Sequence, residues 1–237
     1  MRVLAVDSAT GVAGVAVAED DRLIAEFFLN INKAHSQRLM PMVAQTLQEA
    51  VLELGDLDGL AVTIGPGSFT GLRIGLATVK GLSLTTGLPL VGVPTLDVLA
   101  RNGMGWSGLV CPVLNARRQE VYTCLYRAAG GKIERLSGYL AVSPQLLGDI
   151  LAPGDEPVLL LGDGVEVCSK ILVDRLGSKL CVAHAATLLP RAAQAAFIGL
   201  ERLANGESDS LHSLSPLYVR QSEAELKWAA KNQACKG

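Results

Sequence analysis

Residues 2 to 29 and residues 109 to 136 have the same internal order, and this repetition limits the folds open to the chain more than any other feature. The first stretch, RVLAVDSATGVAGVAVAEDDRLIAEFFL, holds three short apolar runs separated by Gly11 and by Asp20-Asp21. Strand-length apolar runs divided by glycine or paired aspartates are the pattern of consecutive antiparallel hairpins. The second stretch, LVCPVLNARRQEVYTCLYRAAGGKIERL, again gives three strands, with turns at Asn115 to Arg118 and at Gly130-Gly131.

Each triplet is followed by alternating helix and strand. From His35 to Leu54, Leu39, Val43, Leu47, Ala50, Val51 and Leu54 recur at steps of three and four, one apolar face of a helix. LDGLAVTIG is then a strand, Thr70 to Thr86 a helix, PLVGV a strand, and Leu96 to Ala100 opens another helix, giving βββαβαβα. RNGMGWSG breaks the pattern and marks the boundary between a first lobe, 1–103, and a second, 104–237. In the second, PVLLLGDG reads as a strand, Val165 to Leu176 as a helix and Thr187 to Asn205 as a long alanine-rich helix. Two α/β lobes, the second a decayed copy of the first, follow from the duplication.

The stretch AVTIGPGSFTGLRIGLATVKG carries the most distinctive turn. A P-loop requires a lysine directly after its second glycine, and Leu72 and Arg73 follow Gly71 instead. The dinucleotide fingerprint requires a third glycine where Thr70 stands and an acid after the next strand, where PLVGVPT has none. An anion held at the helix start, with Ser68 or Thr70 capping, stays open as an alternative. The helix itself carries only Arg73 and Lys80 as charges and is apolar almost all round, so it is buried on more than one side. Gly67, Gly71 and Gly75 lie four apart and form a flat stripe that admits another backbone, either the chain's own sheet or a second subunit.

Composition excludes several classes. A net charge of −2 gives no broad basic field for holding nucleic acid by phosphate neutralisation. Five scattered cysteines (Cys111, Cys124, Cys168, Cys181, Cys235) without a C-x-x-C pair argue against a disulfide framework and a zinc site, and fit a reduced cytoplasm. The strand-like start suggests no secretory leader, and the most apolar run, 74–93, is interrupted by Lys80, Gly87 and Pro89, so neither a leader nor a membrane span is expected. The three histidines, His35, His184 and His212, include no pair at metalloprotease spacing.

GPGSFTGLRIGLATVKGL, together with LAVDSAT, AHSQRLMP, LVGVPTLDVLA, NARRQEVY and PLYVR, resembles the bacterial TsaB (YeaZ) family over essentially the whole chain. The resemblance implies a duplicated actin-like and sugar-kinase-like (ASKHA) fold. It also implies a partnership with the catalytic subunit TsaD and the ATPase TsaE in making threonylcarbamoyladenosine beside the anticodon of tRNA, with tRNA met only through the complex. In that family the helix after the Gly-Pro-Gly turn is the dimer contact, which here assigns Gly67, Ser68, Thr70, Gly71, Arg73, Ile74, Gly75, Thr78 and Leu82 to a partner interface. A homodimer of the isolated chain and a nucleotide at a shared interface remain open, and no cofactor of the chain's own is implied.

Catalytic relatives carry an H-x-x-x-H metal pair that aligns by resemblance with VPTLDVL, where Thr95 and Leu99 stand instead; no metal is expected. Asp7, Ser8 and Thr10 occupy the place of a phosphate turn, vestigial here, and are equally ordinary turn residues. Asn115 replaces the aspartate expected before ARR. His35-Ser36 reads as a helix cap, and Arg117-Arg118 as a solvated turn or a contact to RNA or an acidic face. The expectation is a non-catalytic scaffold subunit. The alternatives are an ASKHA-fold small-molecule kinase or ATPase, and a peptidase, for which the ligands are missing.

Overall fold

The computed structural model describes residues 1–31 and 35–219. Arg220, the tail 221–237 with Cys235, and the side chain of His35 lie outside the described residues. β1 (Arg2–Asp7), β2 (Val12–Glu19) and β3 (Arg22–Asn30) form the predicted antiparallel meander. α1 (Leu39–Glu49) leads to β4 (Gly59–Gly65), and α2 (Phe69–Thr86) to β5 (Leu90–Pro94), both strands parallel to β1 in the order β3-β2-β1-β4-β5. Alternate residues of β1 serve two cores. Leu4 and Val6 face α1 and α2, while Val3 and Ala5 pack with Ala195, Ala196 and Leu200. A sheet covered on both faces has near-continuous apolar strands, which is why β1, β2 and β4 lack strict alternation.

The second sheet repeats the first. After α3 (Thr95–Arg101), β6 (Gly108–Asn115) pairs with β7 (Val121–Thr123) and β8 (Tyr126–Ala129), two segments of one broken strand. β9 (Lys132–Arg135) and β10 (Leu140–Val142) are likewise two segments of the third strand. The break falls where Ser137 enters the ladder and its hydroxyl accepts the Leu125 N–H at 2.9 Å. α4 (Pro144–Leu151), β11 (Val158–Leu161), α5 (Val165–Leu176) and β12 (Leu180–Val182) complete the copy, with β11 parallel to both β6 and β12.

The last helix of each half is exchanged. α3 buries Leu96, Leu99 and Ala100 among Val110, Leu114 and Tyr126 of the second half. α6 (Ala192–Ala204) returns to the first sheet, where Gly14 leaves so little room that a Cβ would sit 3.0 Å from that of Ala192. Glu26 of β3, with its side chain only 5% exposed, accepts from the Arg191 guanidinium at 2.5 Å and from the Ala193 N–H at 3.1 Å, holding the start of α6.

Two helix bounds differ from the sequence reading. α1 starts at Leu39 after a single 3-10 turn, with Arg38 at the N-cap and no side-chain cap, so Ser36 does not cap it. It stops at Glu49 because Val51 adopts φ +55°, and Leu52 then returns its N–H to Leu47 O at 2.9 Å. α6 starts at Ala192 rather than Thr187, since Pro190 disfavours helix at the residue before it. Val51 occupies the position where such helix ends favour glycine, and it is 89% exposed. A β-branched residue there is strained, so Val51→Gly is expected to stabilise the chain by about 1 kcal/mol. A thermal melt should show Tm raised by about 2 to 4 °C.

Candidate functional site

The loop after β1 and the first turns of α2 are built against each other. A Cβ on Gly67 would lie 2.1 Å from the carbonyl oxygen of Ala9, one on Gly71 2.1 Å from that of Ser8, and one on Gly75 2.3 Å from Ser8 Oγ. The glycine stripe therefore admits the chain's own backbone. On that side the stripe faces residues 8 and 9 of the chain's own loop. Leu82, 7% exposed, also faces inward, into the core of the first lobe.

The polar groups of the loop serve the same packing. Ser8 Oγ donates to Gly71 O at 2.9 Å, and the Ser68 N–H donates to Ala9 O at 2.6 Å. Asp7 Oδ1 accepts from Thr63 Oγ1 at 2.7 Å and from the Ala9 N–H at 3.1 Å, and Thr10 Oγ1 accepts from the Val12 N–H at 3.2 Å. All three of Asp7, Ser8 and Thr10 are buried. Ser68, not Thr70, caps α2, its hydroxyl accepting the Gly71 N–H at 3.3 Å. Of these groups, the Ser8 hydroxyl and the Ala9 carbonyl are the ones turned onto α2 and its cap.

In the second copy, Gly162-Asp163-Gly164 after β11 matches Gly65-Pro66-Gly67 after β4, with φ +116° at Gly162 and +118° at Gly65. The matching placement of IGPG and LGDG at the ends of their strands is the signal of this correspondence in the sequence. Asp163 Oδ1 accepts the Asn115 N–H, and Asn115 Oδ1 accepts the Arg117 N–H at 2.8 Å, so Asn115 closes the turn locally. Arg117, Arg118 and Gln119 all have positive φ in that turn.

The outward face of α2 is different. Thr70, Arg73, Ala77, Gly81 and Leu84 are exposed, Leu84 by 72%, while Ile74 and Thr78 are half-buried at its margin. Phe69, 44% exposed, stacks on Tyr218 with ring centroids 5.6 Å apart, and the Arg73 guanidinium lies 3.8 Å above the Phe69 ring. Neither aromatic was singled out by sequence, since 149 positions separate Phe69 from Tyr218 and no spacing rule links them.

Thr95 and Leu99, placed by resemblance at the metal-ligand positions, are both fully buried, Leu99 in the core between the halves. Asp97 between them was also missed by sequence. It accepts from the hydroxyls of Tyr126 and Tyr139, the latter at 3.0 Å to each oxygen, with Arg135 at 3.9 Å. Burial, then the Asp97 charge, push the Tyr126 hydroxyl well above its usual range, so it stays protonated and donating. Among the described residues, no group of three His, Cys, Asp or Glu side chains is placed to hold a metal. Cys111 and Cys168 are buried thiols pushed up to about 12 and about 11 by desolvation. No described helix is long and apolar enough to cross a membrane.

Two copies of one five-stranded sheet, each with its closing helix packed towards the other copy, define the ASKHA class of α/β proteins. The family model described as TsaD, tRNA N6-adenosine threonylcarbamoyltransferase, matches residues 22–228. The tRNA threonylcarbamoyladenosine biosynthesis protein TsaB of Bacillus subtilis is 36% identical over 228 residues, covering 96% of this chain and 98% of that one. Its namesake in Escherichia coli is 31% identical over 98% of this chain and 100% of its own length. The solved YeaZ of Pseudomonas aeruginosa superposes with a TM-score of 0.78 at 28% identity, over 92% of this chain and 99% of that one. The chain belongs to the TsaB (YeaZ) family of tRNA threonylcarbamoyladenosine biosynthesis proteins.

Two outcomes follow from the packing. Gly71→Ala drives a methyl group into the Ser8 carbonyl and should cost about 1 to 3 kcal/mol, read as a lowered Tm, with assembly of the folded fraction unchanged. Asp97→Ala leaves the Tyr126 hydroxyl buried without its acceptor and should destabilise by about 1 to 3 kcal/mol, whereas Tyr126→Phe in the Asp97→Ala background should cost little more. Denaturant titration of the single and double variants checks this.

Proposed function

We propose that this chain is a non-catalytic subunit of the cytoplasmic assembly that adds a threonylcarbamoyl group to N6 of the adenosine beside the anticodon of tRNA. It pairs through the outward face of α2 with the catalytic subunit TsaD, and works with the ATPase TsaE. One observation carries the reading. The loop that would hold a phosphate in an ASKHA kinase is instead fixed onto α2, with Ser8 Oγ donating to Gly71 O and the Ser68 N–H to Ala9 O. A loop so engaged commits the Ser8 hydroxyl to α2 rather than to a nucleotide, and it stiffens the helix that presents Thr70, Arg73, Ile74 and Thr78. The chain's own chemistry is then limited to binding, with any nucleotide held at an interface shared with the partner.

The kinase alternative requires Ser8 to leave Gly71, and nothing in the arrangement favours that. Membership of a tRNA-modification family supports the assembly reading, as does a face on α2 that is exposed, nearly uncharged and rigidly backed. Reconstitution tests it. The purified chain alone should neither hydrolyse ATP nor modify tRNA. Supplied with an activated threonylcarbamoyl donor, TsaD, TsaE and this chain together should modify tRNA, at a rate that falls to background when this chain is left out and returns on adding it back. Turnover of ATP by the chain alone, abolished by Ser8→Ala, would establish the kinase reading instead.

A further inference from the structure

After α6 the chain runs back over the first lobe as a strap. The Asp209 N–H donates to Leu90 O at 2.7 Å, and its carboxylate accepts from the Gly92 N–H at 2.7 Å and from Arg202 at 3.3 Å. Leu211 and Leu214 pack onto the core of that lobe, and the Leu217 N–H donates to Ile64 O at 2.7 Å. The strap thus closes the open edge of β5 and ends its described path against the start of α2. Tyr218 is delivered there, stacked on Phe69, and its hydroxyl accepts from Arg73 Nε at 3.3 Å.

Phe69, Arg73 and Tyr218 hold one another in place while staying open to solvent, Tyr218 by 41%. Side chains ordered before binding lose little freedom on binding, and aromatic and arginine side chains dominate the energetics of protein interfaces. Charge narrows the partner. Between Asp58 and Asp97 the sequence contains no acidic residue, and Arg73 and Lys80 are its only charged side chains. The face continues through Ala77, Gly81 and the exposed Leu84, which require an apolar surface opposite them. A phosphate backbone supplies anions without that apolar surface, whereas a protein face with a carboxylate at one end supplies both.

We infer that the partner surface of α2 is composite, with the strap residue Tyr218 completing a Phe69–Arg73 patch that receives an acidic side chain of a protein partner. This rests on the assignment of α2 as the partner-facing helix. The test measures binding of purified TsaD to the wild-type chain and to Arg73→Glu, Tyr218→Ala and Tyr218→Phe, each with a thermal melt. Arg73→Glu should weaken binding roughly ten-fold or more with Tm unchanged, and changing the opposing partner acid to lysine should restore it. Tyr218→Ala should weaken binding roughly three- to ten-fold and Tyr218→Phe less than about two-fold, since the ring and not the long hydroxyl contact carries the effect. Raising salt from about 50 to about 500 mM should weaken the wild type more than Arg73→Glu.

Wild-type binding with Arg73→Glu equally tight overturns the composite patch and leaves the proposed function standing. No binding by the wild type overturns both. Unchanged TsaD binding by Arg73→Glu, with reduced retention of tRNA by the assembled complex, would assign the patch to RNA and overturn it as a protein contact. Should Tyr218→Ala lower Tm by loosening the strap, Arg73→Glu and its charge-swapped rescue decide the matter.

Discussion

No side chain fits between the first two turns of α2 and the loop after β1. Three glycines, Gly67, Gly71 and Gly75, bring the helix onto the backbone of Ser8 and Ala9 at distances that a Cβ would violate. Backbone groups held that closely must be hydrogen bonded, and Ser8, Ser68 and Ala9 are bonded across the contact. The contact fixes α2 relative to the sheet, which fixes the face the helix turns outward. It also engages the hydroxyl that a phosphate-binding version of the loop would need.

A second constraint locks the two halves. α3 and α6 are exchanged between the sheets, and each exchanged helix is held by a carboxylate with several donors. Asp97 holds α3 to Tyr126 and Tyr139, and Glu26 holds α6 through Arg191 and the Ala193 N–H. Removing either carboxylate leaves donors without their acceptor in surroundings where that is expensive. The halves are therefore joined by half-buried polar clusters as well as by the apolar core of Leu96, Leu99, Val110 and Leu114. Such a joint suits a scaffold that presents a fixed surface.

Much of this was legible in the sequence where the signal was local. The hairpin turns at Gly11, Asp20-Asp21 and Gly130-Gly131 and the start of α2 after Gly-Pro-Gly are set by residues a few positions apart. The end of α1 was less so, because Leu54 continues the apolar spacing and does enter the same core, but after the chain has turned at the exposed Val51. The direction of the glycine stripe was not legible, since a period of four shows that something approaches closely and not what it is. Its neighbour, Ser8, lies 63 positions away from Gly71. The same separation in sequence hid Tyr218 beside Phe69 and Tyr126 beside Asp97, where ordinary residue types become informative only once the strap and the exchanged helix bring them together.

The central claim is that α2, backed by the loop after β1, presents its outward face to the catalytic partner. A photo-crosslinking amino acid placed at Ala77, exposed at the middle of that face, tests this directly against one placed at Val173, exposed on α5 of the second lobe. The account predicts that the residue 77 probe captures TsaD in the assembled complex and that the residue 173 probe does not. Capture from 173 with none from 77, in a complex that forms and modifies tRNA normally, would contradict it.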